Sequence, residues 1–255
     1  MADAAPRPDR PRIAPLGEAA LLVRFAEMLD PRANRAAQAF HAALSDDPVP
    51  GQRECAPGLG SVVVRLDPDA AEVEAAEAEL SRRLAVRDWS AAPRPSARAW
   101  VVPCAFGGAE GPQLEEAAEM AGLSPSDAVA ALCAAPVRVL ALGFAPGMPY
   151  CGLLPDAWDL PRQTGLTPRV PEGALVTAVR QLIVFGTEAP TGWRQVGLTR
   201  FGCFRPARAR PIALRAGDSV RFRAVSRDEL DAGAAQDAEG LGGATWSATS
   251  GGTVR

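Results

Sequence analysis

Histidine is nearly absent from this 255-residue chain, with His41 the single one. It stands on an expected helix, far in sequence from the loop-rich stretches, so neither a Ser-His-Asp triad nor a histidine-built metal site is expected. The five cysteines (Cys55, Cys104, Cys133, Cys151 and Cys203) include no C-x-x-C pair. Neither a zinc cluster nor a disulfide framework is expected from that spacing, and reduced thiols in a cytoplasmic setting fit it. No metal is expected. No apolar run reaches the ~20 residues of a membrane span, and no membrane partner is expected. There is no G-x-x-x-x-G-K-[ST] phosphate loop either. Positive charge is not in excess: 27 basic against 30 acidic residues give a net charge of -3. That balance argues against a nucleic-acid partner. The opening MADAAPRPDRPR lacks the apolar core of a signal peptide and reads as a disordered lead-in over residues 1–12.

What is present is punctuation. Between Leu142 and Phe222 the chain reads LGFAPGMPYCGLLP, then LPRQTGLTPRVPEGA, APTGW and LRAGDSVRF. Dense glycine and proline specify loop shape, and shaped loops on a β scaffold are where binding groups sit. Upstream, strands around Gly17-Glu18, a helix after Asp30-Pro31, the strand SVVVRL and an Ala/Glu-rich helix predict a small α/β sandwich over residues 13–90. AAPRPSA is a proline-punctuated linker. From residue 98 to 228, short β runs (VRVLAL, ALVTAV, QLIVF, RQVGLT, DSVRFRAV) predict a barrel or sandwich. Residues 231–255 are poor in large apolar side chains and read as a mostly disordered tail. The arginines at 205, 208, 210, 215, 221 and 223 form a local basic run, either a solvated face or a polyanion site.

At these residues the sequence is similar to the family of the 5-oxoprolinase B subunit, also known as allophanate hydrolase subunit 1 or sporulation-kinase-inhibitor-like proteins. The resemblance rests on Gly17-Glu18, Pro57-Gly58-Leu59-Gly60, Leu142-Gly143-Phe144, Pro146-Gly147, Pro149-Tyr150, Leu154-Pro155, Pro161-Arg162, Val170-Pro171, Gly192-Trp193 and Gly217-Asp218. It implies an α+β fold, with a ferredoxin-like N-terminal domain followed by a cyclophilin-like β-barrel. It implies a second, related barrel as partner subunit, with ATP handled by another subunit and no cofactor on this chain. It also implies ATP-dependent opening of 5-oxoproline, or biotin-dependent carboxyl transfer in urea-carboxylase relatives. This chain departs from the family at Leu132 (family histidine), Val137 (family tyrosine) and Ala174 (family serine). A glycine-rich family loop becomes the bulky stretch Val176 to Gly186.

The candidate catalytic residues are Gln181, Arg162 and Glu172. Arg162 and Arg169, each after a proline, can offer guanidinium forks to a carboxylate, or else pair at the surface. Gln181 suits an amide or ureido group, or else satisfies strand backbone. Glu172 is a candidate general base in the altered loop. Phe144 and Tyr150 flank the APGMP turn as an apolar wall, with Met148 and Phe185 as further substrate-binding candidates. Trp193 either joins them or packs in the barrel. Cys151 lacks a base to activate it. Three functions follow: a hydrolase subunit acting on a small molecule, a repurposed cofactor-free enzyme of a specialised pathway using the barrel pocket, and a non-catalytic inhibitor of a histidine kinase.

Overall fold

The computed structural model describes residues 10–67, 73–92, 98–134 and 136–248. It divides into two compact units, Met1–Pro95 and Ser96–Arg255. The first nine residues of the expected lead-in, and most of the linker, lie outside the described residues.

In the first unit, β1 (Arg12–Pro15) and β2 (Ala20–Arg24) form a hairpin, followed by α1 (Pro31–Asp46), β3 (Gln52–Pro57), β4 (Ser61–Leu66) and α2 (Val73–Val86). The lead-in therefore ends earlier than expected, because Arg12 already pairs with Arg24. The sheet is antiparallel in the order β1-β2-β4-β3. Period-two alternation puts Leu21, Val23, Val62, Val64 and Leu66 on one buried face, against Ala37, Phe40 and Leu44 of α1 and Leu80 of α2. Each such side chain contributes about 1.5–3 kcal/mol on burial. α1 starts where the Asp30 carboxylate accepts the amides of Arg32 and Ala33, with Pro31 at the first position. His41 is half-buried beside the Cys55 carbonyl, and burial lowers its pKa.

The second unit contains β5 (Arg98–Phe106), α3 (Leu114–Met120), α4 (Pro125–Ala134), β6 (Val137–Leu142), β7 (Pro149–Gly152), β8 (Thr167–Val170), β9 (Ala174–Ala178), β10 (Gln181–Val184), β11 (Ala189–Thr191), β12 (Arg194–Leu198), β13 (Ser219–Ala224), α5 (Arg227–Ala235) and β14 (Thr245–Ala248). Its strands run β12-β9-β10-β7-β6-β13-β5, and β12 pairs back onto β5 to close a barrel. β13 and β5 are parallel, whereas the other neighbours are antiparallel. β14 adds to β5 outside the ring, and β8 with β11 makes a separate ribbon.

The barrel interior is packed with side chains from every strand of the ring, including Val102, Val139, Cys151, Leu175, Leu182, Val196 and Phe222. Leu132 and Val137, two of the expected departures, belong to this core. The opposite parity of β7, β9 and β10 forms a second apolar layer of Met148, Val176, Ala178, Ile183, Phe185 and Trp193, joined by Tyr150. β9 is therefore buried on both faces, which explains its unbroken apolar run.

Two expectations need correction. The bulky stretch Val176 to Gly186, which the family resemblance reads as an altered loop, is instead the end of β9, a two-residue turn and β10, in line with the β runs ALVTAV and QLIVF. Val179 and Arg180 both adopt positive φ in that turn, 43° and 62°. Tertiary hydrogen bonds offset the strain: Val179 N donates to Leu160 O, Arg180 N to Trp158 O, and Arg180 Nε to Leu154 O. The expected disordered tail is also ordered as far as residue 248. Ser226 caps α5 by accepting the Glu229 amide, and Leu230 is buried. Arg200 pairs with Asp231 at 2.6 Å, Arg208 donates to Gly240 O, and β14 pairs along β5. A few apolar anchors (Leu230, Leu241, Ala244 and Trp246) and these polar ties hold the segment, too few large apolar residues for composition to reveal it. Residues 249–255 lie outside the described residues.

Candidate functional site

Four segments converge on the outer apolar layer of the barrel wall. The β6–β7 loop is fixed by Gly143 N to Met148 O and Met148 N to Ala145 O hydrogen bonds, both 3.1 Å. It holds Phe144 at φ 68° with 74 % of its surface exposed, an unusual conformation for a non-glycine residue. β7 and β10 supply the floor, since the pairing Ile183↔Tyr150 sets those two side chains in one row. The 160–167 loop is tied to the β11–β12 turn by Gln163 N to Gly192 O (2.7 Å) and Gln163 Nε2 to Trp193 O (3.0 Å). Gln113 Nε2 in turn donates to Gln163 Oε1, and Arg194 Nη1 donates to Pro161 O.

Between them lies a pocket of about 300 Å3, lined by Phe144, Met148, Tyr150, Ile183 and Phe185, by Arg162, Gln163 and Leu166, and by the Pro190–Trp193 segment. The hollow is thus on the outside of the barrel rather than within it, as a barrel pocket would have been, because the interior is filled. Trp193 organises the site. Tyr150 meets its ring edge-on at 6.5 Å, and the Arg162 guanidinium lies 5.6 Å from its centroid. Arg162 has no carboxylate partner among the described residues. The pocket therefore offers one cation and one phenol, beside the polar groups of Gln163 and Thr191, among apolar and aromatic side chains.

The structure brings six of the nine expected residues to this pocket: Phe144, Met148, Tyr150, Arg162, Phe185 and Trp193. Three are not among its lining residues. Glu172 accepts Arg205 Nη1 at 2.6 Å in an exposed pair, and Arg169 pairs with Glu188 at 2.6 Å. Gln181 lies in the next row of the same sheet face, opposite Gly152 and Ala178. Sequence reasoning missed Gln163, Leu166 and Thr191. Gln163 neighbours Arg162 in sequence, but its anchoring across to β12 is purely tertiary. Cys151 is inside the barrel, where burial raises its thiol pKa well beyond the range of a nucleophile. The arginine run is largely engaged by internal partners: Arg205 by Glu172, Arg208 by backbone carbonyls, Arg221 by Ala134 O and Arg223 by Glu229.

Gln181 is 3 % exposed and its Nε2 has no hydrogen-bond partner among the described residues. An orphaned buried donor costs about 1–3 kcal/mol, whereas an apolar group of the same shape is nearly neutral. Gln181→Met is therefore expected to leave stability unchanged or raise it by up to about 1 kcal/mol. Urea unfolding of the two proteins measures this, and a loss above about 2 kcal/mol would show that the amide is already satisfied.

Comparisons with known proteins agree with this architecture. Over residues 11–214 the chain matches the family described as carboxyltransferase domain, subdomain C and D. It is 32 % identical over 235 residues to the 5-oxoprolinase B subunit of Bacillus subtilis (strain 168), covering 88 % of this chain and 96 % of that protein. It is 37 % identical over 177 residues to the 5-oxoprolinase B subunit of Escherichia coli O157:H7, covering 68 % and 78 % respectively. Among solved structures, TTHA0988 superposes with a TM-score of 0.69 at 30 % identity, covering 81 % of this chain but only 40 % of that one. The Kluyveromyces lactis urea amidolyase shares the fold, with a TM-score of 0.74 at 17 % identity over 94 % of this chain and 16 % of its own. The extent of the family match and the two bacterial relatives together place this chain in the carboxyltransferase-domain family, as a relative of the 5-oxoprolinase B subunit.

Proposed function

We propose that this chain is a subunit of an ATP-dependent amidohydrolase of the 5-oxoprolinase or allophanate-hydrolase type. It works with a partner barrel subunit, and ATP is bound elsewhere in the complex. The names of its relatives support the class of complex. The observation that carries the ligand reading is Arg162, a cation without an acidic partner among the described residues, set over Trp193 at a small pocket. A pocket of about 300 Å3 sits at the lower end for small-molecule sites. It suits a compact cyclic amide that carries a carboxylate, with Arg162 as the counter-charge and Phe144, Met148 and Phe185 around the ring. Gln181 and Glu172 lie outside this lining, so they enter the proposal as neighbours of the site; Arg169 is already paired.

The test is co-expression with the products of adjacent genes, followed by assay of ATP-dependent consumption of 5-oxoproline. Co-purification with a barrel subunit and ATP-coupled ring opening are expected. In that complex Arg162→Ala is expected to raise KM about 10- to 100-fold, since hydrogen bonds to a charged group contribute ~1.5–3 kcal/mol. No co-purification and no ATP-dependent turnover removes the reading. One observation favours the repurposed cofactor-free enzyme instead: apart from Arg162, Gln163, Tyr150 and Thr191, the wall is apolar and aromatic. Turnover of a small acid by the chain alone, without ATP, would decide for that second reading.

A further inference from the structure

Tyr150 is the only tyrosine of the chain. Among the described residues, the pocket lining holds no carboxylate, histidine or cysteine. Thr191 is buried at 5 % exposure, its hydroxyl accepting the Trp193 amide at 3.0 Å, and both ends of the Gln163 amide are engaged. Two polar groups thus remain to meet a ligand: the Arg162 guanidinium and the Tyr150 phenol. Both lean on the same indole, the phenol ring nearly perpendicular to it with centroids 6.5 Å apart and the guanidinium 5.6 Å from its centroid. Tyr150 is met by Ala141 from β6, Ile183 from β10, Trp193 from the β11–β12 turn and Arg162 from the 160–167 loop. Arg162 is the charged group among these. The charged pairs nearest in sequence, Arg194 with Glu116, Arg180 with Asp156, Arg169 with Glu188 and Arg205 with Glu172, are not part of the lining.

Resting on the reading above, we propose that Tyr150 and Arg162 form a two-point clamp for the carboxylate of the ligand, in which the neutral phenol is the second hydrogen-bond donor. A charged pair alone fixes an anion loosely, and a second donor at an angle to it selects its orientation. The clamp makes recognition depend on protonation. Burial pushes the phenol pKa up, and the nearby Arg162 charge pulls it back down. A bound carboxylate offsets the Arg162 charge and needs the phenolic proton, so the bound-state pKa lies above the free-state one. Affinity is then full below the free-state value, declines as pH rises through it, and levels off beyond the bound-state value.

A chain with a single tyrosine gives one resonance when labelled with 13C at the tyrosine ζ carbon. Three probes are titrated into the full-length protein: 5-oxoproline, cyclopentanecarboxylate (same ring size and carboxylate, no amide) and 2-pyrrolidinone (the amide without the carboxylate). Both acids are expected to move the resonance and raise its titration midpoint, and 2-pyrrolidinone is not. Tyr150→Phe is expected to weaken 5-oxoproline binding about tenfold and to abolish its decline at alkaline pH. A resonance that answers neither acid, or answers 2-pyrrolidinone equally, overturns the clamp. So does a Tyr150→Phe protein that binds acids as the parent does. A response to cyclopentanecarboxylate without one to 5-oxoproline upholds the clamp and sinks the 5-oxoproline reading, so the two failures are separable.

Discussion

Replacement of Asp218 by alanine is expected to cost about 3–5 kcal/mol of folding stability, a large part of what a domain of this size possesses. Asp218 precedes β13 and is 3 % exposed. Its carboxylate accepts Arg98 Nε at 3.2 Å, Arg98 Nη2 at 2.5 Å, Trp100 Nε1 at 3.2 Å and the Arg215 amide at 2.9 Å. The Arg98 side chain is mostly buried as well, and its guanidinium lies 5.1 Å from the Trp100 ring and 5.5 Å from the Trp246 ring. One carboxylate therefore joins the first residues of β5 to the turn before β13, and through the two tryptophans it touches β14. Alanine leaves a guanidinium and an indole N–H without their acceptor, which is the costly way to break a buried pair. The substitution Asp218→Asn keeps part of the acceptor set and is expected to lose less. The double substitution Asp218→Ala with Arg98→Met should recover much of the loss, because it removes the unpaired charge. Urea midpoints of the three variants measure this. A loss below about 1 kcal/mol for Asp218→Ala would show the hub to be solvated rather than structural.

Asp218 also shows how far local sequence carries. AGDSV was legible as a turn before a strand, and it is one; that its aspartate holds a pair of elements 120 residues apart was not. Local signals found what local chemistry determines. Asp30 followed by Pro31 gave α1, and β-branched SVVVRL gave β4. The strands β9 and β10 were legible as the runs ALVTAV and QLIVF; the tight turn joining them was not, because its residues are Val179 and Arg180, where positive φ would ordinarily require glycine or asparagine. Their strain is carried by carbonyls of the 154–160 segment, which only the folded chain supplies. α5 did carry a local signal, the Ser226–Glu229 capping box, which the low apolar content of its surroundings obscured. At the pocket, family resemblance pointed to residue types, but strand parity decided membership. Tyr150, Ile183 and Phe185 face outward, Cys151, Leu182 and Val184 inward. Glu172 stands just ahead of the altered stretch that holds Phe185, yet its side chain goes to Arg205.

Gly173→Ala is expected to cost about 2–5 kcal/mol, combining the left-handed backbone penalty of ~1–2 with overpacking of ~1–3. Gly173 has φ 84°, and a Cβ there would stand 2.2 Å from the Thr199 carbonyl oxygen. That carbonyl belongs to backbone, so no side-chain rotation relieves the clash. Gly173 N also donates to Phe185 O, and Gly173 O accepts the Thr199 amide, both at 2.8 Å. Any shift that admits a methyl group therefore drags one wall of the pocket with it. The comparison is Gly122→Ala: φ there is 70°, with open space around the added carbon. Gly122→Ala bears the backbone penalty alone, about 1–2 kcal/mol, so the difference between the two variants isolates the steric contact. Thermal and urea unfolding should rank Gly173→Ala well below Gly122→Ala, with loss of ligand-induced change at Tyr150 in the former only. Equal losses would mean that the segment before β9 yields freely, and then Phe185 could not be a fixed wall of the site.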